Sequence, residues 1–125
     1  MAYPDGRVEI PVTEVTRAGV VVPAYVAADI SNQHYVDENA GDVEIEVFNN
    51  DAAPQTITVV ANPNVFNDGL TLLDLELTIP AGEVWRFGPF RPNTFRQDPG
   101  GGFYLNASDT DLNIRAFKRE QARNA

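Results

Sequence analysis

From residue 43 onward, apolar and polar residues alternate in short runs separated by turn signals. Val43-Glu44-Ile45-Glu46-Val47 alternates apolar and charged positions, the period-2 mark of a strand with one wet face. Asn49-Asn50-Asp51 reads as the turn that follows, and Gln55 to Ala61 as a second strand, rich in β-branched residues. Asn62-Pro63-Asn64 ends that strand, and Asn67-Asp68-Gly69 is a further turn signal. Over residues 72–79, Leu73, Leu75, Leu77 and Ile79 share one face, with Asp74, Glu76 and Thr78 on the other.

Pro80-Ala81-Gly82 suits a tight turn, since proline presets φ at its first central position. The aromatic strand Glu83 to Phe90 sets Trp85 and Phe87 opposite Val84 and Arg86, which predicts that both rings join the core. Gly88-Pro89 interrupts it. Proline cannot donate to a ladder, so this segment belongs at a sheet edge or a bulge. After the flexible Asp98-Pro99-Gly100-Gly101-Gly102, Phe103 to Ala107 and Leu112 to Phe117 read as the last two strands. The short joint Ser108 to Asp111 predicts an antiparallel hairpin between them.

Residues 1–40 follow no such rhythm. Val20-Val21-Val22 and Tyr25-Val26-Ala27-Ala28 are apolar, and Pro11 and Pro23 break them. The reading is an extended arm with one or two short strands, then a loop through Asn32–Asp42, with a brief helix at 24–30 as the alternative. No stretch sustains a 3.6-residue period. Six or more short strands without crossover helices predict an all-β fold, an antiparallel β-sandwich or jelly-roll-like single domain. Its expected parts are an extended N-terminal arm over 1–27, the sandwich over 28–118 and a polar tail over 119–125, either a frayed helix or disordered.

Composition narrows the function. A chain of 125 residues has room for one domain and can bury a core without disulfides or a metal. It contains no cysteine, which excludes thiolate metal sites and cysteine nucleophiles. The opening Met1-Ala2-Tyr3-Pro4-Asp5-Gly6 does not read as a signal peptide, and no run approaches the ~18 apolar residues of a membrane span. The expectation is a soluble protein made in the cytoplasm of the cell that expresses it, with no membrane partner. Net charge is −9, with −11 over residues 1–80 and +2 over 81–125. Such an acidic chain has no footprint for phosphate backbones, so no nucleic-acid partner is expected. The asymmetry is either a chance distribution on a wet surface or two faces with different partners.

Candidate chemistry is thin. His34 is the single histidine and cannot build a triad or a multi-histidine metal site, so a loop role is expected. Asp109 and Asp111, with Ser108 and Thr110, resemble a small calcium-type oxygen cluster but lack further ligands at fixed offsets, so a turn is the reading. Asp74 and Glu76 mimic a glycosidase carboxylate pair, yet period-2 acids on a strand mark its wet side. No catalytic, cofactor-binding or metal residue is assigned, and no enzyme activity is expected. The aromatic strand around Trp85 also admits a carbohydrate-binding module, which would need its rings exposed. Phe90, Arg91, Phe95 and Arg96 form an aromatic and basic cluster of the kind that anchors interfaces.

The order of parts carries a resemblance. An arm, a strand, Asn-Asn-Asp, a Thr/Val strand, Asn-Asp-Gly and a Leu/Thr strand lead to Thr78-Ile79-Pro80-Ala81-Gly82 and Phe87-Gly88-Pro89-Phe90. A Gly-rich connection and a final apolar strand complete it. Over about residues 10–118 this resembles small tailed-phage structural proteins, mainly from phages of actinobacteria, regarded as head decoration (capsid cement) proteins. The resemblance implies a non-enzymatic virion protein on the capsid surface, with the major capsid protein and its own copies, as a homotrimer, for partners. It implies attachment through the terminal arm, with Val12, Val15, Val20, Val21, Val22, Pro23 and Tyr25 as interface residues, to which the aromatic and basic cluster adds Phe90, Arg91, Phe95 and Arg96 independently of the resemblance. Such an arm adds backbone hydrogen bonds to an open sheet edge, and deleting residues 1–20 is expected to leave the sandwich folded. The Arg91–Arg96 loop and the arginine-rich end are less typical of those proteins and keep open a head–tail connector or minor tail role.

Overall fold

The computed structural model describes residues 4–62, 66–67, 70–71, 73–90, 92–97 and 101–120. The arm supplies β1 (Val8–Glu9), β2 (Val12–Val15) and β3 (Val26–Ala27). β4 (His34–Val36), β5 (Val43–Asn49), β6 (Gln55–Val60), β7 (Phe66–Asn67) and β8 (Leu70–Thr71) follow. β9 (Leu75–Ile79), β10 (Val84–Phe87), one helical turn α1 (Pro92–Phe95), β11 (Phe103–Ala107) and β12 (Leu112–Arg119) complete the chain.

The long strands build two five-stranded sheets, and the pair β7–β8 stands apart. The first sheet runs β1-β4-β11-β6-β9; the second runs β10-β5-β12-β2, with β3 also on β12. The period-2 alternation explains why they stack. In β5, Val43, Ile45 and Val47 are fully buried; in β12 the same holds for Leu112, Ile114 and Ala116; and Ile57, Val59, Phe103 and Leu105 face them from the first sheet. The result is an all-β sandwich, open at its edges. It is mixed rather than purely antiparallel: β1 pairs parallel to β4 and β2 parallel to β12.

The chain changes sheet at most of its connections, and this corrects the expected hairpin. β11 lies in the first sheet between β4 and β6, whereas β12 lies in the second against β5. The physical reason is that each strand has one fully apolar face. Facing each other across the core, the two strands bury those faces against one another, each completed by the neighbours in its own sheet. Residues 108–111 therefore form an arch, held by Ser108 N to Thr56 O at 3.0 Å and Asp111 N to Asp109 Oδ1 at 2.8 Å.

The arm holds three strands and all of them join the sheets. Ile10, between β1 and β2, is 0% exposed and belongs to the core. The expected loop over 32–42 contains β4, whose His34 and Val36 are also fully buried. Residues 24–30 form no helix; β3 and a turn at Asp29 occupy them. Leu73, Leu75, Leu77 and Ile79 grade from 84% exposed at Leu73, through 37% at Leu75, to fully buried Ile79. Among the expected turns, Asp68-Gly69 and Asp98-Pro99-Gly100 lie outside the described residues, as do Arg91 and the tail beyond Glu120.

Buried polar groups fasten the arches. Asn49, fully buried, donates Nδ2 to Ile79 O at 2.8 Å and to Ala53 O at 3.0 Å, and its Oδ1 accepts from Asp51 N at 2.9 Å. One amide thus ties the β5–β6 arch to the end of β9. Gly88 closes β10 at φ +116°, where an added Cβ would stand 2.9 Å from Val43 O, so the close approach requires glycine.

Candidate functional site

Two features of the second sheet stand out: a charged row on its outer face and an exposed apolar loop beside it. On β5 the outward residues are Glu44, Glu46 and Phe48. Register places Arg86 of β10 and Arg115 of β12 on either side of Glu46. Arg86 Nη2 lies 2.8 Å from Glu46 Oε1, and Arg115 Nη2 lies 2.5 Å from Glu46 Oε2. The Tyr25 hydroxyl donates to Glu46 Oε2 at 2.6 Å.

The guanidinium groups also stack. Arg115 lies 4.1 Å from the Tyr25 ring centroid, and Arg86 lies 4.3 Å from that of Phe117. Burial alone would raise the Glu46 carboxyl's pKa. Hydrogen bonds from Tyr25, Arg86 and Arg115 outweigh that and hold it below the usual carboxylate range. The row is a satisfied, rigid network, and it positions backbone: Arg115 Nη1 donates to Pro23 O at 3.1 Å.

That contact fixes one end of the loop between β2 and β3. At the other end, Gly19 N donates to Thr16 O at 3.0 Å and Arg17 N to Glu120 Oε1 at 2.9 Å. Between these anchors Val20, Val21 and Val22 are 43%, 88% and 55% exposed. Three consecutive valines held out into solvent on a fastened loop form an apolar presentation unusual for an isolated surface.

The remaining interface residues read from the sequence are dispersed. Val12 packs partly against the core, Val15 is exposed on β2, and Pro23 and Tyr25 are half-buried. Phe90 is a correction. It is 3% exposed, stacked edge-on with Phe87 and Phe95 and tilted on Phe103, so it anchors the core and offers no surface. Phe95 is half-buried against the same cluster. Arg96 is exposed, while its carbonyl accepts from Asn62 Nδ2 at 2.6 Å. Trp85 and Phe87 are half-buried against the core, and Trp85 Nε1 donates to Glu83 Oε1 at 2.9 Å.

Other sequence candidates serve the fold. His34 is fully buried; its Nε2 accepts from Asp29 N at 2.8 Å, so Nδ1 carries the proton and donates to Val8 O at 3.1 Å. Asp74 Oδ1 accepts from Ala61 N at 2.8 Å. Among the described residues, Asp51, Asp109 and Asp111 bring carboxylate oxygens within 4.8 Å of one another and could hold a cation. Their oxygens already close the two arches: Asp51 accepts from Ala52 N and Gln55 Nε2, and Asp109 from Asp111 N. The sequence reading missed the Glu46 row because its members are remote in the chain and only the strand register aligns them.

No protein-family model matches the sequence, and no curated protein or solved structure matches it. The fold itself sets the class: a two-sheet β-sandwich, with a fastened apolar loop as its candidate contact surface. No helix among the described residues is long and apolar enough to cross a membrane.

Proposed function

We propose that this chain is a non-enzymatic virion structural protein that decorates the outside of a phage capsid and stabilises the assembled shell. The observation that carries the reading is the exposed run Val20-Val21-Val22, which lies in the segment that the resemblance to decoration proteins assigns to attachment. A sandwich that binds only the assembled shell stabilises it by mass action, without chemistry of its own. Its partners in this reading are the major capsid protein and further copies of itself, as a homotrimer.

The structure changes the appropriate experiment. Deleting residues 1–20 would remove Ile10 from the core and two strands from the sheet edges, so loss of binding would not separate attachment from folding. The cleaner variant is Val21→Asp with Val22→Asp, because both side chains are exposed. Cosedimentation with shells of the virus that encodes the protein, prepared without it, is expected to fall at least tenfold while thermal unfolding stays unchanged. Undiminished binding would remove the loop from the interface. Antibody label confined to one vertex or to the tail, instead of spread over the head, would replace decoration by the connector or tail role.

A further inference from the structure

We infer that residues 4–15 form an exchangeable clasp, seated on its own sandwich in the isolated chain and on the same seat of a second copy when copies assemble. Residues 16–25 are the hinge. The inference concerns the chain alone and does not rest on the capsid reading.

The seat is built almost entirely from sequence-distant residues. β1 lies on β4 and β2 on β12, and the fully buried Ile10 fills the seam between the sheets. Val8 N donates to Gln33 O at 2.9 Å and Ile10 N to Tyr35 O at 2.8 Å; Arg7 Nη1 reaches Asn106 Oδ1 at 2.7 Å, and Glu120 N donates to Val15 O at 2.8 Å. Nothing in these bonds depends on which copy supplies the clasp. A neighbour's residues 4–15 would meet the same donors, acceptors and seam, so complementarity in trans is already present in the cis contacts.

The hinge is where the two arrangements differ. β2 ends opposite Arg119, and β3 begins opposite Ile114 on the same edge of β12, running the other way. The chain must double back along one strand edge. It does so through Gly19 at φ +96°, and the doubled-back segment is the one that leaves Val20, Val21 and Val22 exposed. Drawn out, the hinge would reach roughly 33 Å at about 3.3 Å per residue, on the order of the width of a small domain. Running between two copies, it could bury those valines against the neighbour, a gain the cis form lacks. A closed ring of such exchanges is heterologous and gives a cyclic oligomer.

The absence of cysteine makes the test clean. Glu9 and Tyr35 face each other in the β1–β4 register. A tagged Glu9→Cys chain and an untagged Tyr35→Cys chain would be unfolded together, refolded at high concentration and treated with a short bis-maleimide. The doubly substituted chain, treated when dilute, verifies that the reagent bridges the pair within one molecule. The expected result is a hetero-cross-linked product at least tenfold above that from chains folded separately and mixed just before treatment. Adding Gly19→Val, a β-branched residue at positive φ, is expected to raise the product further by disfavouring the return. Hetero-cross-linking at the level of the separately folded chains would overturn the inference. This reading uses the Gly19-containing pair alone, so it stands even if the Gly19→Val chain does not fold.

Discussion

On one side of the sandwich the chain passes between sheets through Ile10 and Pro11; on the other it passes through Pro80, Ala81 and Gly82. Both corners join an edge strand of one sheet to an edge strand of the other. The N-terminal corner is sealed: Ile10 is fully buried, Arg7 lies 4.0 Å from the Tyr104 ring centroid, and His34 holds Val8 from below. The β9–β10 side is sealed only near its turn, by Ile79 and Asn49. Away from it Leu75 and Leu73 are 37% and 84% exposed, and just past it Val84 is 52% exposed. Both corners are closed by an isoleucine that enters the core, and they differ at the rim, where Val8 and Val15 are 36% and 37% exposed on the N-terminal side while Leu73 and Val84 reach 84% and 52% on the other. The lesson is that a buried residue at the corner ties an edge strand to the core whatever the strand's length, two residues in β1 and five in β9.

The sharpest test of the comparison is to remove each plug in turn. Ile10→Ala is expected to cost about 2–5 kcal/mol, the range for truncating a buried isoleucine. Ile79→Ala, its counterpart at the opposite corner, should cost a similar amount. Urea unfolding of both variants measures the difference. If Ile10→Ala cost less than about 1 kcal/mol, the N-terminal corner would be an appendage rather than part of the core.

The same contrast explains what the sequence made legible. The strands at 43–49, 55–60, 75–79, 84–87, 103–107 and 112–119 announce themselves by period-2 alternation, and Pro80-Ala81-Gly82 marks its corner by turn chemistry. These are local signals. β1, β2 and β4 have two to four residues each, and β1 and β2 pair parallel with strands far along the chain. Nothing within a short window distinguishes Val8-Glu9-Ile10 from a loose arm. Sheet assignment was illegible for a related reason: Ser108–Asp111 is short enough for a hairpin, and the choice of an arch lies in what faces each strand across the core. The candidate contact surface was half legible. The valine run was visible, but Phe90 looked like a surface anchor because its three ring neighbours are brought to it only by folding.

A gentler perturbation uses pH. Burial pushes the His34 imidazole below its ordinary pKa and outweighs the opposing pull of the Val8 carbonyl and Asp29; Arg7 adds to the lowering. Its folded pKa lies below the unfolded value of about 6.5, so the neutral form supports the fold above that pH. That support is lost as pH falls from there through the folded pKa, with a slope of at most about 1.4 kcal/mol per pH unit for one proton. In structural terms, protonated Nε2 can no longer accept from Asp29 N. A His34→Gln variant should be less stable at neutral pH and show a shallower acid slope over this window in urea titrations. An unchanged slope would mean that carboxylates alone set the acid sensitivity.

The smallest expected effect lies at the rim of the other side. Leu73→Ser replaces a side chain that is already 84% exposed, so unfolding free energy should change by no more than about 0.5 kcal/mol. The informative readout is association. Leu75 opens β9 and Leu73 lies two residues before it, and β9 is an edge strand that pairs, among the described residues, only with β6. Exposed apolar edges of this kind are templates for pairing with another chain. If this rim is a contact surface, Leu73→Ser should weaken concentration-dependent self-association in sedimentation velocity while leaving the melting curve in place. Equal association by both proteins would put the contact elsewhere. A drop in stability beyond about 1 kcal/mol would mean instead that this rim is covered within the chain, and the contrast between the two sides would narrow.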